Sequence, residues 1–226
     1  MELSPAIIPI HFSNTHRLIP SRFPPAGILD LIATPEDLPY VIELENWTND
    51  RISTELGVLN TIPKHEWVVG FPNATAIMAA FCHPYPTGGR FNTSARGAWY
   101  TAREFETALE ETIFHRTKEL AEIGEFNTRL EMRQYLSDLD TEFHDLRPSP
   151  EFDSCHDPSN YTVSQRLAEE LLASQSNGVI YRSVRRAGGE CIACFRPKLV
   201  LNVRPAAHFE YVWDGRPRPI VRQLAL

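Results

Sequence analysis

The segment Gly97-Ala98-Trp99-Tyr100-Thr101-Ala102-Arg103-Glu104-Phe105-Glu106-Thr107-Ala108-Leu109-Glu110-Glu111 decides how the chain folds. Residues Gly97 to Ala102 are small, aromatic or β-branched and read as a short strand. From Glu104 to Ile123 the pattern changes. Phe105, Ala108, Leu109, Thr112, Ile113, Arg116 and Leu120 recur at three- and four-residue spacing, the period of one helix face. Acidic residues crowd the first turns, where the helix dipole favours them. A strand running straight into a long helix requires a fold in which a sheet is covered by helices.

Working outward, Arg129 to Leu136 alternates Leu130 and Met132 with Arg129, Glu131 and Arg133, which suits a half-buried strand. Thr162 to Ser174 carries Val163, Leu167, Leu171 and Leu172 on one side and reads as a helix, with Asn177-Gly178 as its left-handed terminator. Val179-Ile180-Tyr181 and Glu190 to Phe195 read as a hairpin turned by Gly188-Gly189. Leu199 to Val203, Phe209 to Val212 and Ile220 to Leu226 are further strands, with Asp214-Gly215 as a turn. Residues 1–30 hold Pro20, Pro24 and Pro25 and should be extended or looped. Short helices fit Pro35 to Gly57, with Thr34 as N-cap, and the apolar run Ala74 to Phe81 fits either type. The sum is a mixed α+β domain with mostly antiparallel pairing.

Bulk properties narrow the function classes. The 226 residues, 42% apolar and 23% charged, suit one compact domain or one domain with an insertion, and exclude gross disorder. The net charge of −7 gives no general attraction to phosphate backbones, so direct nucleic-acid binding is not expected. Arg far outnumbers Lys, which leaves room for a local basic cleft. No stretch approaches the roughly 20 apolar residues that span a bilayer. Met1 to Ile10 has no basic start and carries two prolines, unlike a signal peptide, so a cytoplasmic location with reduced cysteines is expected.

Cys191-x-x-Cys194 invites a zinc or redox reading, but it lies in an apolar run that reads as a strand. A zinc site needs about four ligands, and the thin Cys82-His83 pair does not complete one. His65, His83, His115, His144 and His208 show no ligand spacing. No metal is expected. Cys191 as a nucleophile lacks a base.

The densest chemical signal lies between Gly88 and Arg116. Gly88-Gly89-Arg90-Phe91-Asn92 offers a turn that lets backbone approach a ligand, followed by a guanidinium able to clamp phosphate. Tyr100 offers a flat face on which a nicotinamide or adenine ring can stack. Glu111, on the helix after that strand, lies four residues after Thr107 and three after Ala108, on a small-residue face; Glu106 and Glu110 are its competitors. His115 stands four residues on, as an orienting group or a solvated neighbour. Asn92 and Asn202 are further ribose-contact candidates. Such a trio suits cleavage of a nicotinamide–ribose bond. Arg holds the pyrophosphate, Tyr the ring, and the carboxylate meets oxocarbenium charge.

These pieces, in order, resemble the RES domain family, named for its Arg, Glu and Ser. The likeness is carried by Gly88 to Asn92, by Tyr100-Thr101-Ala102, and by Glu111 eleven residues after the Tyr. Gly178-Val179-Ile180-Tyr181-Arg182-Ser183-Val184-Arg185 resembles the family's strand ending in Ser, and His16-Arg17-Leu18 its opening Arg. The likeness runs from Arg17 to about Pro197. Phe91 stands where Trp is common, and Arg182 where Pro is common. The 72 residues between Arg17 and Arg90 exceed the interval of compact members. This organisation is a single domain over 1–226, with about 27–87 as a helical insertion or subdomain.

The resemblance implies an ADP-ribosyltransferase-like fold and a toxin that consumes NAD⁺ by cleaving it at the nicotinamide–ribose bond, as glycohydrolase or phosphorylase. It implies Arg17 and Arg90 on NAD⁺ phosphates or ribose, Tyr100 at the nicotinamide end, Glu111 as catalytic carboxylate and Ser183 lining the pocket. It also implies an Xre-type antitoxin partner with a helix-turn-helix, to which operator binding would fall. A homodimer is compatible with the sequence. The alternatives are an ADP-ribosyltransferase acting on a protein and a non-catalytic interaction module. Arginine-directed transferases typically carry a Glu two residues before the catalytic one, where this chain has Leu109.

Overall fold

The computed structural model describes residues 4–20 and 62–225. The helices expected between Pro35 and Gly57 and the first part of the expected insertion, 27–61, lie outside the described residues. The described elements run β1 (Ala6–Pro20), α1 (Ala74–Cys82), β2 (Trp99–Ala102), α2 (Phe105–Ile123), β3 (Asn127–Asp145), α3 (Thr162–Ala173), β4 (Gly178–Arg182), β5 (Glu190–Cys194), β6 (Leu201–Asp214) and β7 (Ile220–Leu224). Short 3₁₀ turns occupy Lys64–Glu66, Pro150–His156 and Pro197–Leu199.

The architecture is mixed α+β: one seven-stranded sheet, order β1-β2-β5-β4-β3-β6-β7, flanked by helices. Among the described residues the one parallel pairing is β3–β4, at His144↔Val179 and Asp145↔Ile180. β1 also pairs along β3, from Ala6↔Asp145 to Pro20↔Met132, so five strands close on themselves. The closure between β1 and β2 rests on the His16↔Ala102 pair.

Alternation along the strands sorts side chains to two faces. One face meets α1 and packs Ile77, Met78 and Phe81 with Trp99, Tyr135, Leu139, Phe143, Ile180 and Ile192. The other meets α2 and α3 and packs Ala108, Ile113, Ala168 and Leu171 with Val179, Tyr181, Cys191, Ala193 and Tyr211. Phe81 and Trp99 are fully enclosed, and truncating either to Ala would cost about 3–5 kcal/mol. The described part of 27–87 joins the first core through Ile62, Trp67, Val68 and α1.

The structure departs from the sequence reading at β6 and at the end of α3. The strands expected at Leu199–Val203 and Phe209–Val212 are one strand, β6. Pro205, which offers no N–H, is absorbed next to the register shift between Arg133 and Tyr135 of β3. The left-handed residue after α3 is Gln175 (φ 64°), not Asn177-Gly178. Gly178 instead opens β4 at φ 141°, where a Cβ would lie 2.1 Å from the Ala193 carbonyl oxygen. Residues 6–20, expected as extended or looped, are extended: they form a full strand with a bulge between Phe12 and Thr15, where Asn14 adopts φ 58°.

Candidate active site

Tyr181 and Val179 of β4, Cys191 and Ala193 of β5, and Tyr100 and Ala102 of β2 lie in cross-strand register, all on the α2 side. Ser183, just past β4, continues that side. Its hydroxyl donates to Glu111 Oε1 at 2.6 Å and accepts the backbone N–H groups of Arg185 and Arg186, both at 3.1 Å. One serine thus ties the helix carboxylate to the loop 183–189, which is closed by the Ser183 N–H donating to Gly189 O at 2.8 Å. The Cys191 thiol lies 3.9 Å from the same Glu111 oxygen. Burial, then the neighbouring negative groups, pushes both the Cys191 thiol and the Tyr181 phenol well above their ordinary range, so both stay protonated at neutral pH.

The Gly-Gly-Arg turn is held from three directions. The Gly89 N–H donates to Asn92 O at 3.0 Å and to its Oδ1 at 3.1 Å. The Tyr100 hydroxyl donates to Asn92 Oδ1 and accepts the Phe91 N–H, each at 2.8 Å. Gln165 of α3 donates to the carbonyls of Thr87 and Gly89, both at 2.9 Å. Gly88 sits at φ 72°, and a Cβ there would lie 2.2 Å from Asn92 O. Arg90, buried behind this turn, donates from Nη1 to the carbonyls of Cys155 at 3.0 Å and Asp157 at 2.6 Å, and lies 4.5 Å over the Tyr161 ring. Its Nε and Nη2 have no hydrogen-bond partner among the described residues.

The structure therefore brings Arg90, Tyr100, Glu111 and Ser183 to one side of the sheet. Tyr181 feels the charges of both Glu111 and Arg90. The Tyr100 hydroxyl is committed to the Arg90 turn and Asn92 to Tyr100, so both act on the turn's shape. Arg17 is placed differently. Its guanidinium lies 4.6 Å over Trp99, on the α1 side, and reaches Tyr100 only by donating to its backbone carbonyl at 2.9 Å. Burial pulls its pKa down to about 10. Asn202 lies on β6, donating to Asp138 Oδ2 at 2.7 Å. Cys191 and Cys194 face opposite sides of the sheet, one toward each core, so they cannot share an ion.

Several groups at this site were missed in the sequence. The Arg185 guanidinium lies 3.2 Å over the Phe114 ring and donates to Pro158 O and, at 3.5 Å, to the Tyr161 hydroxyl. Arg186 donates to Thr107 Oγ1 at 3.0 Å. Phe91 packs on Tyr181 with centroids 4.7 Å apart. His115 has an open ring edge, yet dense surrounding protein, then Arg185, Arg116, Arg90 and Lys118, pushes it down to about 4. The Arg182–Arg186 run was the visible signal for a cationic loop; nothing in the sequence marked Tyr161.

A family model described as "RES domain" matches residues 59–214. The uncharacterized protein y4oC of Sinorhizobium fredii (strain NBRC 101917 / NGR234) is 29% identical over 202 residues, covering 88% of this chain and 83% of that protein. Among solved structures, the M. tuberculosis MbcT–MbcA toxin–antitoxin complex holds a chain 12% identical to this one, with TM-score 0.47, over 90% of this chain and 87% of that chain. The family match spans well over half of the sequence, and the chain belongs to the RES domain family.

Proposed function

We propose that this chain is the toxin of a toxin–antitoxin system, an enzyme that breaks the nicotinamide–ribose bond of NAD⁺ in the cytoplasm and passes ADP-ribose to water or phosphate. The observation that carries the reading is the 2.6 Å bond from Ser183 to Glu111, on the side of the sheet that also holds Arg90 and Tyr100. A carboxylate with one oxygen fixed by a serine keeps the other for a ribose hydroxyl. It also sets negative charge beside a carbon that becomes oxocarbenium-like.

In this reading the C1′–N bond breaks and nicotinamide leaves with the bonding electron pair. A water or phosphate oxygen then bonds to C1′, and an attacking water gives up a proton. Arg90 meets the phosphates with the guanidinium edge left free. Tyr100 contributes by holding the Arg90 turn, and its ring face borders the nicotinamide. Arg17 supports β2 from behind, through the Tyr100 carbonyl.

Leu109, two residues before Glu111, is partly buried against the core and supplies no second carboxylate, which favours a small acceptor over protein arginine. An Xre-type antitoxin follows from the family alone; it predicts a neighbouring helix-turn-helix reading frame and growth arrest when the chain is expressed without it.

The test is nicotinamide release from NAD⁺ by the purified protein, with and without phosphate. The parent should release nicotinamide and Glu111→Gln should not. Equal release by both would reject the carboxylate. Labelled NAD⁺ in a lysate that marked a protein band would replace hydrolysis or phosphorolysis with protein modification.

A further inference from the structure

We infer that Arg185 is a second phosphate-binding arginine of this site, taking the pyrophosphate of a dinucleotide jointly with Arg90. The inference rests on the function proposed above and adds a binding group to it.

Arg185 is built into the same unit as the carboxylate. Its backbone N–H donates to Ser183 Oγ, which donates to Glu111. Its side chain then crosses to α2 and lies flat on Phe114, three residues after Glu111. From there Nη2 reaches the Tyr161 hydroxyl, while the face of the same Tyr161 ring carries the Arg90 guanidinium. Two guanidiniums therefore converge on one tyrosine, from two different loops.

Neither of them has a carboxylate partner among the described residues, whereas neighbouring arginines do. Arg182 pairs with Asp153, Arg186 with Glu104, and Arg147 with both Asp145 and Glu190. The Arg185 Nε is buried without any hydrogen-bond partner. Burying a charged donor unsatisfied is unfavourable, and an incoming oxyanion would remove that penalty.

Spacing points to the pyrophosphate. Phe114, on which the Arg185 guanidinium lies, is three residues beyond Glu111, about 4.5 Å along the helix axis. That is comparable to the span of a ribose from its anomeric carbon to its 5′ phosphate. A carboxylate at the glycosidic bond would thus leave the phosphates beside Arg185 and Arg90. Two planar forks suit the several oxygens of linked phosphates.

The experiment is a calorimetric titration of the full chain with ADP-ribose, with adenosine and with inorganic phosphate. It uses the parent, Arg185→Ala, Arg185→Lys and Glu111→Gln. ADP-ribose affinity should fall at least tenfold in Arg185→Ala and recover partly in Arg185→Lys. Adenosine affinity should be unchanged. Thermal melting checks that Arg185→Ala remains folded; if it does not, Arg185→Lys against the parent decides, with a loss expected only for phosphate-bearing ligands. Equal ADP-ribose affinity in parent and Arg185 variants overturns the inference. A loss for inorganic phosphate but not ADP-ribose also overturns it, assigning Arg185 to a free phosphate acceptor. Glu111→Gln should fail to release nicotinamide, and any loss of affinity it shows should appear for ADP-ribose and not for inorganic phosphate. If Glu111→Gln still released nicotinamide, the proposed function would fail while the titration still judged Arg185. No binding of ADP-ribose by the parent overturns the inference, while nicotinamide release still judges the proposed function.

Discussion

Two glutamates in this protein sit among arginines, and they are arranged in opposite ways. Glu66 is buried with both oxygens taken: Arg96 Nη2 meets Oε2 at 2.5 Å and Arg196 Nη1 meets Oε1 at 2.6 Å. The triad joins the Lys64–Glu66 turn, the loop before β2 and the end of β5. Glu111 is half-buried, bonded by a serine, and has no ion pair with Arg90 or Arg185. The same residue types make a closed knot in one place and an open set of donors and acceptors in the other. Charge that is fully paired builds structure; charge left unpaired beside a half-satisfied carboxylate is available to a ligand.

That contrast can be broken by mutation. Glu111→Gln should reduce nicotinamide release by about 100- to 1,000-fold, with a melting temperature close to the parent's; a large drop in melting temperature would make Glu111 a second knot. Glu66→Gln should do the reverse. Leaving two buried arginines without their counter-charge costs about 3–5 kcal/mol, a fall of roughly 10 °C in melting temperature, while turnover per folded molecule holds. Ser183→Ala lies between the two, since it frees the Glu111 oxygen and strands two loop N–H groups. A loss of about tenfold in turnover, corresponding to one hydrogen bond to a charged group, is expected from steady-state kinetics.

Gln165→Ala sharpens the comparison further. It releases the carbonyls of Thr87 and Gly89 and loosens the Arg90 turn, so KM for NAD⁺ should rise a few-fold with kcat nearly constant. The smallest effect concerns pH. His115 titrates near 4 in the fold and near 6.5 when unfolded, so the unfolded chain takes up the proton first as pH falls. Stability should decline between about pH 6.5 and pH 4 and level off below. The amplitude should be under about 1 kcal/mol because the ring edge is open to screening solvent. His115→Asn should flatten that part of a urea-denaturation profile.

Much of the fold around Glu111 was legible because the signals there are local. The strand at Trp99–Ala102 and the period of α2 both follow from neighbours a few residues apart. The face chosen by Arg17 was not. Ile8, Ile10 and Phe12 point to the α1 side, and strict alternation from them would send Arg17 to the opposite side, toward Glu111. The bulge at Asn14 adds a residue, so Thr15, Arg17 and Ile19 take over the α1 side instead. A bulge is set by the partner strand, which single-strand alternation does not contain. The Arg185 and Tyr161 contacts were hidden for a related reason: they join segments 24 residues apart through a loop with no periodicity. β6 read as two strands because its middle, Arg204 to His208, lacks an apolar alternation, while Pro205 sits beside a register shift that only the pairing with β3 reveals.

The pairing of β1 with β3 also has a consequence for biosynthesis. Ala6 meets Asp145 and Pro20 meets Met132, so β1 leaves the ribosome with its main partner more than 100 residues downstream. At about 5–20 residues per second, that strand waits on the order of ten seconds with its backbone unmatched. Until β3 emerges, the ring of strands cannot close and the platform beneath Glu111 is not assembled. Nascent chains are therefore inert, and any partner that captured the orphan first strand would act before the protein had become itself.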